Sequence, residues 1–447
     1  MPPEQHNLPL SNKSGPVFVL PFEIISEIFL HCLPDNHTIP DTSQPPLLLG
    51  RICSMWRDVA LATPKLWASL SIHCTDTADV RLADLWLSRA RGYPLRIEVD
   101  DHEGEESPNR EILLETICRY SAQWQEVTLS VPLDALSRLR LEGPLPRLER
   151  LVIGSEASVS PIQLVTAFSD APLLREVHLS LDDVGSVQPR SIVLPWAQLT
   201  SFTGHLLSAE ECLYVLREAS SLTECNLYHF IDGHPGFTMS LPLVLPLITK
   251  LRLEGSVEQN LVDVLQYLTL PALEFLELRT APPSTENPAT NPLLLGTLIT
   301  FLPRSSCPLL EFRLITSRTL HTVLFQCLSA MPTLKVLDIT WFSTSHHVHN
   351  TILQQLHTPS ALLPHLQSLS VHYTTPPVLP YDDELIAMLF SRSNRNDTAG
   401  AARLERFSLS WNGFHLPYPD AQTLDRFKAL LGRGMQIHLG PLDAPWI

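Results

Sequence analysis

The stretch that decides the fold is "LTLPALEFLEL", Leu268–Leu278: a proline-marked turn, an anchoring leucine, then apolar and polar residues in alternation. Its core is a short phrase: an apolar anchor, two residues, a second apolar residue, one more residue, and a third apolar residue. Alternation of this kind predicts a short strand with one buried face. The phrase recurs as "LERLVI" from Leu148, "LREVHL" from Leu174, "LTECNL" from Leu222, "ITKLRL" from Ile248 and "LEFLEL" from Leu273. It continues in "LEFRL" ending at Leu314, "LKVLDI" from Leu334, "LQSLSV" from Leu366 and "LERFSL" from Leu404. "WQEVTL" from Trp124 is an earlier copy with tryptophan as anchor, and "LTSFTG" from Leu199 a degraded one.

The copies lie about 24–26 residues apart through the first half of the array and about 30–40 later, where loops such as "APPSTENPATNP" and "SRSNRNDTAGAA" intervene. The shorter spacing falls in the leucine-rich-repeat range of roughly 20–29 residues. Between strands, "PIQLVTAF", "SAEECLYVLREA", "QNLVDVLQYL", "LHTVLFQCLSA" and "YDDELIAMLF" pair apolar residues three or four apart, which predicts helices with one buried stripe. Parallel strand–helix units cannot bury their apolar faces alone, so stacking is expected to form a continuous core with strands lining a concave face. The expected fold is therefore α/β: a short helical segment followed by an irregular leucine-rich-repeat solenoid with a parallel sheet on its concave side. The asparagine that commonly follows the third apolar residue in such repeats is largely missing.

Upstream, "LWASLSI" and "YPLRIEVDD" read as strands, and "ADVRLADLWLSRARG" and "REILLETICRYSAQW" as helices. They are expected to cap the exposed end of the repeat core. "VLPFEIISEIFLHCL" reads as a helix begun at Pro21, with Ile24, Ile25, Ile28, Phe29 and Cys32 at helical spacing and Pro34 as its stop. A second helix is expected over "LLLGRICSMWRDVALA", and Thr63-Pro64 breaks it before Trp67. The reading divides the chain into a disordered tail 1–17, a helical domain 18–70, a capping region 71–123 and a repeat domain 124–447.

The helical segment resembles the F-box motif, and looks especially like the F-box-like proteins abundant in mushroom-forming fungi. The matching residues are Leu20-Pro21, Glu23-Ile24-Ile25, Ile28-Phe29, Leu33, Ile52-Cys53, Trp56-Arg57 and Leu66-Trp67. The resemblance implies docking onto a Skp-type adaptor, and through it a cullin scaffold of a cullin–RING ubiquitin ligase, with the repeats selecting a protein substrate. Carried over residue by residue, it implies that Leu20, Pro21, Ile24 and Ile28 contact the adaptor, with Leu48, Ile52 and Trp56 shared between the helical core and that interface. The loop from Asp35 to Pro46 is longer than the usual link between these helices. The other reading of the same residues is an adaptor-independent scaffold whose helices pack onto its own repeats.

Composition agrees with a binding protein. With 47 acidic against 31 basic residues the net charge is −16, which disfavours a nucleic-acid partner. The eight scattered cysteines form no C-x-x-C pair, the N-terminal segment lacks a signal-peptide pattern, and no apolar run approaches a membrane span. The expectation is a cytoplasmic or nuclear protein with no membrane partner. No nucleophile elbow, P-loop, zinc-protease or dinucleotide motif is present, so the reading is non-catalytic and without cofactor. His346, His347 and His349 in "SHHVHN" are read as an exposed loop, and the acidic run from Asp100 to Glu106 as a solvated turn rather than metal sites. Arg252, Glu277 and Asp338, between buried strand positions, are the candidate substrate-facing residues; Trp341 and Trp411, directly after their strands, are candidate anchors or else cover the edge of the core.

Overall fold

A computed structural model describes residues 20–34, 38–73, 77–101, 108–155, 164–181, 188–230, 242–280, 293–316, 321–341, 356–357, 362–374, 383–393, 402–412, 418–441 and 446. It is an α/β chain with a large parallel sheet, in two compact units: Met1–Leu151 with Asp170–Leu173, and Val152–Ser169 with Leu174–Ile447.

The first unit begins with α1 (Phe22–Leu30), α2 (Leu49–Ile52) and α3 (Ser54–Ala62). Pro21 stands just before α1, and its carbonyl accepts from the Ile24 and Ile25 amides, so the missing proline N–H costs nothing there. The single helix expected over 47–62 is two helices. Cys53 is extended (φ −157°, ψ 170°), which ends α2, and its Sγ then accepts from the Trp56 amide as the cap of α3. β1 (Ser69–His73), α4 (Thr77–Arg89), β2 (Leu95–Asp100), α5 (Pro108–Cys118), β3 (Trp124–Ser130) and α6 (Leu133–Ser137) follow. β1 pairs with β2 and β2 with β3, all parallel. β4 (Arg150–Ser155) begins in this unit and continues into the next.

A pair of tryptophans fastens the helical segment to this sheet. Trp67 is buried, donates from Nε1 to the Ala60 carbonyl at 2.9 Å, and meets Trp86 of α4 edge-on with ring centroids 4.9 Å apart. Trp86 donates to the Ser69 carbonyl at 3.0 Å, and the Arg89 guanidinium lies 4.4 Å from the centre of the Trp67 ring. Buried aromatic pairs of this geometry contribute about 0.5–1.5 kcal/mol beyond the area they bury.

The second unit contains β5 (Glu176–Leu181), β6 (Ser201–His205), α7 (Ala209–Glu218), β7 (Glu224–Phe230), β8 (Leu243–Val244), β9 (Lys250–Gly255), α8 (Glu258–Leu265), β10 (Leu268–Thr269) and β11 (Phe275–Thr280). It continues with α9 (Leu293–Ser305), β12 (Glu311–Thr316), α10 (His321–Ser329), β13 (Val336–Trp341), β14 (Ser368–Tyr373), α11 (Asp383–Ser393), β15 (Arg406–Trp411), α12 (Ala421–Gly432) and β16 (Gln436–Pro441). Its sheet runs β5-β6-β7-β9-β11-β12-β13-β14-β15-β16, with β8 and β10 pairing separately. Each recurring phrase becomes a strand that starts about two residues after its anchor. The anchors themselves, such as Leu222, Ile248, Leu273 and Leu334, are fully buried. "PIQLVTAF" departs from expectation: its described part, 164–168, is not helical, and Val165 instead bridges Ile192.

One main-chain feature repeats along this unit. The carbonyl of Thr200 accepts from two successive amides, Thr223 and Glu224, and that of Thr223 accepts from Thr249 and Lys250. The pattern continues through Thr249, Glu274, Leu310, Lys335 and Gln367, each carbonyl receiving two amides from the next turn. This clasp satisfies turn amides that no strand ladder reaches. Behind the strands, α8 packs on α9 and α9 on α10. Irregular stretches are tied differently: Arg392 is almost fully buried and donates to the carbonyls of Leu356, Leu362 and Leu363 at 2.6–2.9 Å. Burial pushes its guanidinium down to about 10.

Candidate protein-interaction surfaces

α1 carries more apolar surface than its own core takes. Ile25 and Phe29 face inward with Ser26, and Phe29 lies 4.9 Å from the half-buried Trp56 ring. The adjacent stripe, Leu20, Ile24 and Ile28, is 39%, 48% and 46% exposed, with Phe22 beside it at 44%. Pro21 is exposed, as are Leu48 and Ile52 at the ends of α2. Six of the seven residues expected to meet an adaptor are therefore solvent-facing, and Trp56 is half-buried. The long loop is tied to the sheet near its start: the Thr38 carbonyl accepts from the Ser71 amide at 2.9 Å and the Thr38 amide donates to Ser69 Oγ at 3.2 Å. Ile39 next to it is exposed.

The second surface is the open face of the sheet in the second unit, and it follows from one position of the phrase. The fifth residue, between the second and third apolar ones, is His178, Thr203, Asn226, Arg252, Glu277, Arg313, Asp338, Ser370 and Ser408 in successive copies. Strand register places these nine in a single row across the sheet, and His438 of β16 extends it. Arg252, Glu277 and Asp338 thus share one row. Arg313, Ser370, Ser408 and His438 were not singled out by sequence reasoning; for the first three, the signal was their identical place in the phrase.

The middle of the row is internally satisfied. Arg252 Nη1 donates to Glu224 Oε1 and to Asn226 Oδ1, both at 2.9 Å, and its Nε lies 3.5 Å from Glu277. Burial works to raise the Glu224 carboxyl, but hydrogen bonds from Asn226 and Arg252 and the nearby Lys250 hold it below the usual range. Arg313 spends both Nε and Nη2 on Glu311 at 2.7–2.8 Å. Asp338, by contrast, has no hydrogen bond or ion pair to any described residue. Burial, then Glu277 and Glu311, raise its carboxyl, and Arg313 opposes them only in part. Toward the start of the sheet, His178 and His205 stack with centroids 4.9 Å apart, and His205 also meets Tyr228 at 4.9 Å.

The two candidate anchors fare differently. Trp411 is fully buried, its ring 5.0 Å from that of Trp446. An exposed anchor is excluded there: Trp411 lies on the same face of β15 as the buried Phe407 and Leu409, and so covers the core. Trp341 ends β13, opposite Thr316 and Tyr373, and its side chain lies outside the described residues. His346, His347 and His349 lie outside them too, as do 102–106 of the acidic run. Asp101 of that run is buried and paired with Arg110 at 2.5 Å.

Among the described residues no group of three or more His, Cys, Asp or Glu side chains is arranged to hold a metal ion, and no helix is long and apolar enough to cross a membrane. Burial pushes the Cys118, Cys225 and Cys327 thiols up to about 12, which keeps them protonated rather than nucleophilic. No protein-family model matches the chain, and no curated protein matches it either.

Proposed function

We propose that this chain is a non-catalytic substrate-recognition subunit of a Skp–cullin–F-box ubiquitin ligase, built from an F-box-like helical segment and leucine-rich repeats. The adaptor docks on Leu20, Pro21, Ile24, Ile28, Leu48, Ile52 and Trp56, and the open sheet face holds a protein substrate for ubiquitin transfer by proximity. The observation that carries this reading is the double stripe of α1: one apolar face is spent on the protein's own core, and the neighbouring one stands in solvent. A soluble helix of nine residues gains nothing from a second apolar stripe unless something covers it.

Co-purification of the full chain with a Skp-type adaptor tests it. Ile24→Asp with Ile28→Asp alters exposed positions only, so the melting temperature is expected to stay within a few degrees while adaptor binding is lost. Unchanged binding in the double variant, or no binding by the parent chain, overturns the assignment. The adaptor-independent scaffold draws support from the Trp67–Trp86 lock, which ties the helical segment to its own sheet. It predicts that amides of α1 exchange equally slowly with and without adaptor, whereas docking slows them further.

A further inference from the structure

Row position sets side-chain length as well as charge. From Arg252 to Asp338 the residues alternate in sign, Arg252, Glu277, Arg313, Asp338, each opposite the next in register. The alternation then stops: β14 and β15 present Ser370 and Ser408 where the pattern calls for a cation and an anion. Ser368, one position down the same face, is also small. Short side chains after long ones leave a depression of about 510 Å³ floored by these serines, with Asp338 and Arg313 on one side and His438 and Gln436 on the other. That volume lies within the roughly 300–1,000 Å³ of ordinary ligand sites.

The charges around it are unequal in availability. Arg313 is taken by Glu311, so the half-buried Asp338 carboxylate, which lines the depression, has no cation paired with it among the described residues. A carboxylate partly removed from water and next to other acids is costly unless a cation reaches it. Arg406 is the other charge with no ion pair to a described residue, exposed on β15 and opposite Ser368. Two strand spacings of about 4.8 Å and two residues of about 3.3 Å put its backbone roughly 12 Å from that of Asp338. A cation bound at Asp338 therefore sits clear of it, and Arg406 is free to take a carbonyl or acidic group further along the same segment.

We propose that this cleft is the specificity pocket of the sheet face and that it takes a lysine or arginine side chain from an extended segment of the protein substrate, with Asp338 as its counter-ion and Ser370 and Ser408 as its floor. The inference rests on reading this face as the substrate surface. The guest cation supplies what a basic residue at position 370 would have supplied, and completes the alternation across the sheet.

The test uses the full chain and three synthetic peptides: acetyl-Gly-Ser-Arg-Ser-Gly-amide, its citrulline counterpart of the same shape without charge, and its glutamate counterpart. Saturation-transfer NMR is expected to show contact with the arginine side chain, little with citrulline and none with glutamate, and the arginine signal is lost in Asp338→Asn. Equal signals from arginine and citrulline, or an undiminished signal in Asp338→Asn, overturn the proposal. A glutamate signal that disappears in Arg406→Ala overturns it in favour of an anion site. As an internal check, Ser370→Arg is expected to raise the melting temperature in the parent chain but not alongside Asp338→Asn, and to abolish the peptide signal. A rise that is independent of Asp338 counts against the proposal. Asp338→Asn is expected to co-purify with the adaptor as the parent does, so loss of adaptor docking and loss of the cleft are read separately.

Discussion

His205 shows how a single side chain on the open face links stability to pH. Its ring is half-buried between His178 and Tyr228, and burial, then the nearby His229, lower its proton affinity, with Glu254 opposing. The unfolded chain, with an ordinary value near ~6.5, therefore binds the proton more tightly than the folded one. The stabilisation is fully present above that unfolded value and is lost as pH falls through the lower folded one. Urea midpoints are expected to drop between pH 7.5 and pH 5, and His205→Gln to flatten that slope. An unaltered slope in the variant would show that other groups set it. His372, lowered by burial alone and hydrogen-bonded to Ser410 at 3.0 Å, contributes in the same direction, whereas the raised carboxyls of Glu211 and Asp338 work against it.

At the scale of the element, strand ends are where packing is least forgiving. Gly255 closes β9, and a Cβ there would meet the Leu261 side chain of α8 at 2.5 Å. Gly255→Ala is expected to destabilise by about 1–3 kcal/mol through overpacking, read as a lower urea midpoint. Gly204 stands in the same relation to Leu207, at 2.7 Å, which explains why "LTSFTG" forms β6 despite lacking its third apolar residue. Phrase and periodicity made the strands legible because alternation is a local property. They left out α9, "LLLGTLITFLPRS", whose opening run of three leucines and internal Pro303 blur a stripe that the structure nonetheless buries through Leu294, Leu295, Leu298, Phe301 and Leu302. β16 was missed because its phrase lacks the leucine anchor: register with β15 puts Gly434 where Leu404 stands in the preceding copy. The Cys53 break was missed because an apolar run of helical period hides a change in backbone direction. In the candidate site, the polar row could be read from phrase position alone. The burial of Trp411 could be read as well, since it stands two residues after Leu409 on the buried face, but its partner Trp446 could not.

For the whole molecule, each compact unit carries its own buried core. That of the first includes Trp67, Trp86 and Trp124 among many leucines, and that of the second includes Trp411 and Phe168, Phe202, Phe301, Phe312, Phe407 and Phe427. Each fully buried leucine is worth about 1.5–3 kcal/mol. Trp67→Ala is expected to cost about 3–5 kcal/mol in its own unit. Hydrogen exchange followed by mass spectrometry should show faster exchange in β1 and α4 and unchanged exchange in β11 to β15. Equal acceleration in both would mean that the chain opens as one cooperative body.

The main-chain clasp that joins each turn to the next has a further consequence. Because a carbonyl and two amides make it, almost any residue can occupy those positions: threonine, glutamate, leucine, lysine and glutamine all do. The scaffold is thus written in the backbone and the buried apolar residues, while the side chain at the fifth position of each phrase takes no part in the clasp and is held only by bonds to neighbouring side chains, as Arg252 is to Asn226 and Glu277. Such a chain can exchange the letters of its outward row one at a time, acquiring or losing a preference for a partner, without having to rediscover how to fold.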